Sequence, residues 1–327
     1  MPTSPRRLLA RRAGAVVVTL VLAVGVVAGV GWYLGGGVPP LLDPNGCTAE
    51  VGGVVVDLST EQAENAATIA AIGVRRGMPA RAVSIALATA YQESKIRNLG
   101  HGDRDSLGIF QQRPSMGWGT EDQIQNVHYA TNKFYDELEK IDGYETMRIT
   151  EAAQLVQRSG FPEAYEDHAE DGRALASALT GYSPHAFTCQ VDDVDGLDEQ
   201  GLNPAGLTPR AAKVRRTLER AFGTQSLGGF APGGIGDGHQ EGSAHYEGRA
   251  VDVFFRPVNE GNQRLGWAMA QYLVAQAERL DIATVIFDAR IWSARHSDDG
   301  WREYDPGDGP GDPGVRLHRD HVHVDVG

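Results

Sequence analysis

The chain has 327 residues, a formal net charge of −13 and 41% hydrophobic residues. The length allows two domains and the composition is that of a globular chain rather than a disordered one. The acidic balance argues against nucleic acid as a partner, because phosphate binding needs a basic surface.

Residues 1–12 form a basic tail with Arg6, Arg7, Arg11 and Arg12, and an uncharged run follows from Ala13 to Leu34. At about 1.5 Å per residue, some 22 helical residues reach roughly 33 Å, enough to cross a bilayer core. The spacing predicts a transmembrane helix over 13–34. Its preceding arginines would be cytoplasmic and everything after it extracellular, on a single-pass plasma-membrane protein. A secreted chain released by signal cleavage is the alternative. Both readings export the remaining chain. Only Cys47 and Cys189 are present, and an exported chain with a small even number of cysteines usually pairs them.

After a linker over 35–46, residues 47–189 read as a mainly α domain with few strands. Ser59-Thr-Glu-Gln62 is a capping box ahead of an Ala-rich helix that stops near Gly77. Pro79 suits the first turn of a helix over 79–93, and helices are predicted at 121–139, 150–158 and 168–178. Residues 190–206 are acidic and contain glycine, as a linker does. Residues 207–327 read as α+β. They hold a helix from Pro209 to about Phe222, a Gly-rich loop over 223–238 and a helix over 262–279. Strands are expected at 250–255, 283–287 and 321–326.

In the first domain Glu93 ends an apolar helical run. Glycosidic cleavage needs a proton delivered to the leaving oxygen, and a carboxyl supplies it near neutral pH only if burial or neighbours raise its pKa. The turn 98–109 would return Gln111 and Gln112 toward Glu93, as amides able to bind sugar hydroxyls. Glu93-Ser94 and Gly108-Ile-Phe-Gln111 resemble segments of the lytic transglycosylases and goose-type lysozymes, and Ala164-Tyr165 resembles the later cleft tyrosine of that family. The resemblance covers roughly residues 55–185. It implies a lysozyme-like fold, Glu93 as acid and then base, and Ser94, Gln111 and Tyr165 at the substrate, which is peptidoglycan cut between N-acetylmuramic acid and N-acetylglucosamine. The Asn-Pro that commonly follows Glu-Ser is absent. Asp103 and Asp105 are candidates for a second carboxylate, so anhydro-forming and hydrolytic cleavage both stay open.

In the last domain His245 and Asp252 stand seven apart, and the chain ends Arg319-Asp-His-Val-His-Val-Asp325. His321 and His323 share one face of a strand. His245, Asp252 and His323 would make a three-ligand zinc site with an open position, the form of catalytic zinc. The segment His245-Tyr-Glu-Gly-Arg-Ala-Val-Asp252 and the His-x-His pair resemble the zinc fold shared by D-alanyl-D-alanine peptidases, lysostaphin-like endopeptidases and hedgehog domains. The resemblance implies a zinc-peptidase-like domain with those three ligands, with Asp320 in the place of a general base and His321 in that of the first His of His-x-His. Asp320 is one methylene shorter than the usual Glu. Arg249 could hold a peptide carboxylate. His239 and His318 read as bystanders, and Trp292 and Trp301 as core, with the wall of a cleft as their alternative.

Together the two motifs resemble a two-domain, actinobacterial-type cell-wall hydrolase with peptidoglycan and the membrane as partners. The alternatives are a last domain that only binds the wall, and service to a secretion or conjugation apparatus.

Overall fold

The computed structural model describes residues 45–308 and 311–327. The tail 1–12, the transmembrane run 13–34 and all but the last two residues of the linker 35–46 lie outside the described residues. Among the described residues no helix is long and apolar enough to cross a membrane.

Strand β1 (Gly46–Val51) pairs antiparallel with β2 (Val54–Leu58) and with β3 (Phe187–Gln190). This three-stranded sheet is the main addition of the first lobe to the mainly helical pattern of the sequence. Its strands are short and their partners are distant in the chain, so periodicity gives little sign of them. Cys47 and Cys189 face each other across β1 and β3 and form a disulfide. The bridge closes a loop of 142 residues, worth about 5 kcal/mol in the chain-entropy account.

Helix α1 (Thr60–Arg75) starts at the Ser59 capping box, where the Gln62 side chain returns to the Ser59 N–H at 2.9 Å. Helix α2 (Ala80–Ser94) is stopped by Lys95 and Ile96, both with positive φ. The predicted helix over 121–139 is two helices, α3 (Glu121–Ile124) and α4 (Val127–Leu138), because Asn126 caps the second through His128 and Tyr129. Helices α5 (Ile149–Gln157) and α6 (Ala169–Leu179) complete the lobe. Gly172 lets α6 lie directly on α2, since a Cβ there would sit 2.7 Å from the Ser84 carbonyl oxygen. That close contact fixes the helix carrying Glu93.

The second lobe holds a six-stranded antiparallel sheet in the order β4-β5-β9-β6-β7-β8. Its strands are β4 (Leu227–Gly228), β5 (Ala250–Phe254), β6 (Ile282–Phe287), β7 (Arg290–Ser293), β8 (Arg302–Glu303) and β9 (His321–Val326). Helix α7 (Pro209–Phe222) begins at the Thr208 cap, and α8 (Glu260–Ala275) packs on β6. β5 and β9 are neighbours, with Asp252 opposite His323 and Phe254 opposite His321.

Residues 190–206 do not separate two loosely tethered heads. Residues 45–327 form one compact unit, and a single core runs through both lobes. Gln271 on α8 is fully buried; its Oε1 accepts from the Phe187 N–H at 2.9 Å and its Nε2 donates to the Ala178 carbonyl at 2.6 Å. Trp301 Nε1 donates to Phe187 O at 2.8 Å, and Trp292 Nε1 to Cys189 O at 3.1 Å. Both tryptophans therefore serve the junction between lobes, not a substrate cleft.

Candidate functional site

Two clefts contain the residues singled out in the sequence. In the first lobe a cleft of about 980 Å³ runs past Glu93 and is walled by the 103–118 loop, the 155–161 segment and one face of α4. Glu93 lies in the last turn of α2. Burial pushes its pKa up, and hydrogen bonds from Tyr165 and Gln157 pull it only part of the way back. The negative end of the helix dipole also disfavours a carboxylate there. Tyr165 Oη donates to Glu93 Oε1 at 2.6 Å and Gln157 Nε2 donates to the same oxygen at 3.1 Å. Gln157 Nε2 also donates to Phe110 O at 2.7 Å, which ties the Phe-Gln-Gln segment to the acid.

The structure thus brings Tyr165 onto Glu93, where the sequence placed it at the substrate. Ser94 points inward: its hydroxyl bonds Ala90 O at 3.1 Å and Ile109 O at 2.7 Å, and it is buried. It positions the 107–112 turn and has no face on the cleft. Gln111 lines the cleft at a positive φ, with its amide folded onto Gly108 O at 3.1 Å. Gln112 is buried and donates to Ala130 O at 3.2 Å, so it is a packing residue despite its place in the cleft wall. Asp105 is held by Ser115, through its side chain and through its N–H at 2.8 Å, and by Arg113 at 2.6 Å; together they hold its carboxyl well below the usual range. Asp103 is almost fully exposed beside Arg104. Gln157 was missed in the sequence, since nothing local marks a helix-end glutamine as a partner of a residue 64 positions earlier.

In the second lobe a cavity of about 1260 Å³ opens over β5 and β9. His245 Nε2 lies 3.1 Å from Asp252 Oδ1 and 3.0 Å from His323 Nδ1, and His323 Nδ1 lies 3.2 Å from Asp252 Oδ1. A tetrahedral metal with ligand bonds of about 2.0–2.1 Å holds neighbouring ligand atoms about 3.3 Å apart. The outer nitrogens are already used. His245 Nδ1 donates to Gly229 O at 2.7 Å, and His323 Nε2 to Asp325 Oδ2 at 3.0 Å. Such outer partners fix the tautomer and turn the other nitrogen to a metal. Burial works against ionising Asp252, but His245 and His323 outweigh it and hold the carboxyl far down. Burial likewise opposes charge on His323, while Asp252 and Asp325 favour it, so a metal bound at Nδ1 would take the place of a proton there. Two ring nitrogens and a carboxylate oxygen crowded this closely fit a cation between them.

His239 corrects the bystander reading. With His245 and Asp252 it forms a group whose ligand atoms all lie within 4.8 Å of one another, and these three residues can hold a metal ion. Its sequence context, a glycine-rich loop, gave no periodicity by which to place it. His318 is neutral in this setting, pushed down to about 3 by burial and by His321 and His323. His321 Nδ1 donates to Asp320 Oδ1 at 2.8 Å, while Arg256 Nε donates to Asp320 Oδ2 at 2.6 Å. His321 Nε2 is left 4.0 Å from Asp252 Oδ1, facing the metal-capable group. Arg249 spends its guanidinium on Glu247 at 2.6 Å and on Val326 O at 2.6 Å.

Comparison with protein families places one segment. Residues 203–313 match the family model described as VldE, C-terminal domain. The matched segment is about a third of the chain; it contains His239, His245 and Asp252 and stops before Asp320, His321 and His323. No curated protein matches the chain.

Proposed function

We propose that the chain cuts the glycan strands of peptidoglycan, with Glu93 first donating a proton to the leaving oxygen and then accepting one from the attacking hydroxyl. The observation that carries this reading is a half-buried carboxyl, its pKa raised by burial, at the floor of a cleft and held by Tyr165 and Gln157. Asp105 is locked to Arg113 and Asp103 stands in solvent, so support for a second catalytic carboxylate is weak. That favours the anhydro-forming route, in which the sugar's own hydroxyl attacks. Arg104, Arg113, Lys133, Lys140 and Arg158 line the cleft against Glu93, Asp103 and Glu137. A positive excess there, in a chain of charge −13, suits a strand bearing carboxylates.

The second half of the proposal is that the other lobe cleaves stem peptides with zinc, the metal that its His and Asp donors suit. His245, Asp252 and His323 would hold the ion, which when bound would act as a Lewis acid on a peptide carbonyl. His321 would move the proton through Nε2, and Asp320, held by Arg256, would orient the ring rather than act as base. That arrangement removes the difficulty of its short side chain. The observation that favours a second reading, a lobe that only binds the wall, is that Asp320 is already spent in an ion pair. In either case the chain would work outside the plasma membrane, where a disulfide persists, alone or beside a secretion or conjugation apparatus.

Digestion of purified peptidoglycan by the full-length protein, with and without chelator, tests both halves by mass spectrometry. Expected are anhydro-muramic ends that ignore the chelator and peptide cuts that vanish with it. No glycan cleavage would overturn the first half; glycan cleavage alone would leave the second lobe as a binding module.

A further inference from the structure

His245, Asp252 and His323 supply three ligand atoms 3.0–3.2 Å apart, which leaves one position of a tetrahedral ion to be filled. A third imidazole lies over that group. The His239 ring stacks on His245 with centroids 3.9 Å apart and planes at 25°. Its ligand atom falls within 4.8 Å of those of His245 and Asp252. His239 differs from the other two histidines in its support. His323 is fixed on a central strand, and His245 in a short turn tied to Gly229. His239 rides on the 229–243 loop, where Gly229, Gly233, Gly234, Gly238 and Gly242 all take positive φ.

A loop of this composition changes backbone shape at low steric cost. Tyr246 holds it in the covering position, since its hydroxyl accepts from the His239 N–H at 3.0 Å and donates to the His239 carbonyl at 2.5 Å. Tyr246 is adjacent to the ligand His245 in the chain, so the clamp and the metal site are mechanically joined. The same loop, from Gly238 to Ala244, walls the cavity. Anything entering over the metal would meet His239 first.

We propose that His239 is an exchangeable fourth ligand that closes the metal site until an incoming oxygen ligand displaces it. Closed, with the loop drawn inward so that His239 joins His323, which is not in its 4.8 Å group, the ion would have three histidines and a carboxylate, the saturated set of a structural site. Open, it has two histidines, a carboxylate and a free position. This inference rests on the metal reading above. It supplies a restraint on that site that lies inside the lobe itself.

The test uses the full chain loaded with Co²⁺ or Zn²⁺ and reads metal and probe binding, not activity. Metal affinity is measured by competition with a chromogenic chelator, and acetohydroxamate binding by its effect on the visible Co²⁺ spectrum. For His239→Ala the two affinities should move in opposite directions. Metal binding should weaken by about tenfold or more, at least what loss of an outer partner costs, while acetohydroxamate should bind more tightly because no side chain need leave. Tyr246→Phe, which keeps the imidazole and loosens its clamp, should shift both in the same directions by a smaller factor. Unchanged metal affinity together with unchanged probe affinity in His239→Ala would overturn the proposal. Asp252→Asn is the control: if it too leaves metal affinity unchanged, the metal reading fails rather than the fourth ligand.

Discussion

Glu93 is a half-buried carboxyl and Asp252 a buried one, and they are treated in opposite ways. Burial dominates at Glu93, whose two partners are neutral donors, and its pKa rises. At Asp252 burial is greater still, but His245 and His323 are in contact and the pKa falls. The difference shows that burial alone does not assign a role; the charge of the contacting groups does. A carboxyl facing a tyrosine and an amide is able to carry a proton. One facing two imidazoles stays ionised and could hold a cation.

The sharpest way to break this contrast is to neutralise each carboxyl in turn. On the proposed function, Glu93→Gln should reduce glycan cleavage by about 10²–10⁴-fold, the range of a lost general acid, and leave any metal content intact. It should not destabilise the fold, and at neutral pH should raise stability by up to about 1 kcal/mol. The sign follows from the raised pKa. The wild-type carboxyl's contribution is fully present below the unfolded value of 4.5 and is lost as pH rises through the folded value. Stability curves of the two proteins should therefore converge in acid and separate toward neutrality. Asp252→Asn should do the reverse, losing the metal and destabilising by about 3 kcal/mol, because breaking a buried pair strands its partner. Equal stability effects in denaturant titrations of the two variants would end the distinction.

A smaller effect tests whether the two lobes are one body. Gln271→Leu leaves the Phe187 N–H and the Ala178 carbonyl without their buried partner, at about 1–3 kcal/mol for each group. The expected result is a loss of about 2–6 kcal/mol in a single transition that carries both lobes together. Two separate transitions would mean that the lobes fold apart and that the shared core is a contact of convenience.

What could be read in the sequence was what is local. The capping box at Ser59 and the helix ending at Glu93 rest on residues within a few positions of one another. So does the two-residue spacing that turns His321 and His323 to one face of β9. The pairing of His323 with Asp252 needed β5 and β9 to be neighbours, which the two motifs suggested only as a pair. Gln157, Gln271 and His239 were not legible. Their partners lie 64, 84 and 93 residues away or on a loop without periodicity, and only tertiary contact gives them roles. The same cause misplaced Ser94, a polar residue beside a motif whose hydroxyl is spent on a backbone carbonyl that the sequence could not bring near. Arg249 bonds the Val326 carbonyl and still lines the cavity of the second lobe.

The finest test concerns Tyr165, which shares one oxygen of Glu93 with Gln157. Its hydroxyl favours the ionised form of the acid, so Tyr165→Phe should raise the pKa of Glu93 further. The alkaline limb of the pH–rate profile should then move to higher pH, by about one unit for a bond worth about 1.4 kcal/mol. The plateau rate should fall only modestly, since Gln157 still holds the carboxyl through Phe110. A purely packing role for the ring would leave the limb where it is, because phenylalanine fills the same space. A shift to lower pH would mean that the hydroxyl supports the neutral acid. The contrast between a proton-carrying and a cation-holding carboxyl would then need a donor other than Tyr165.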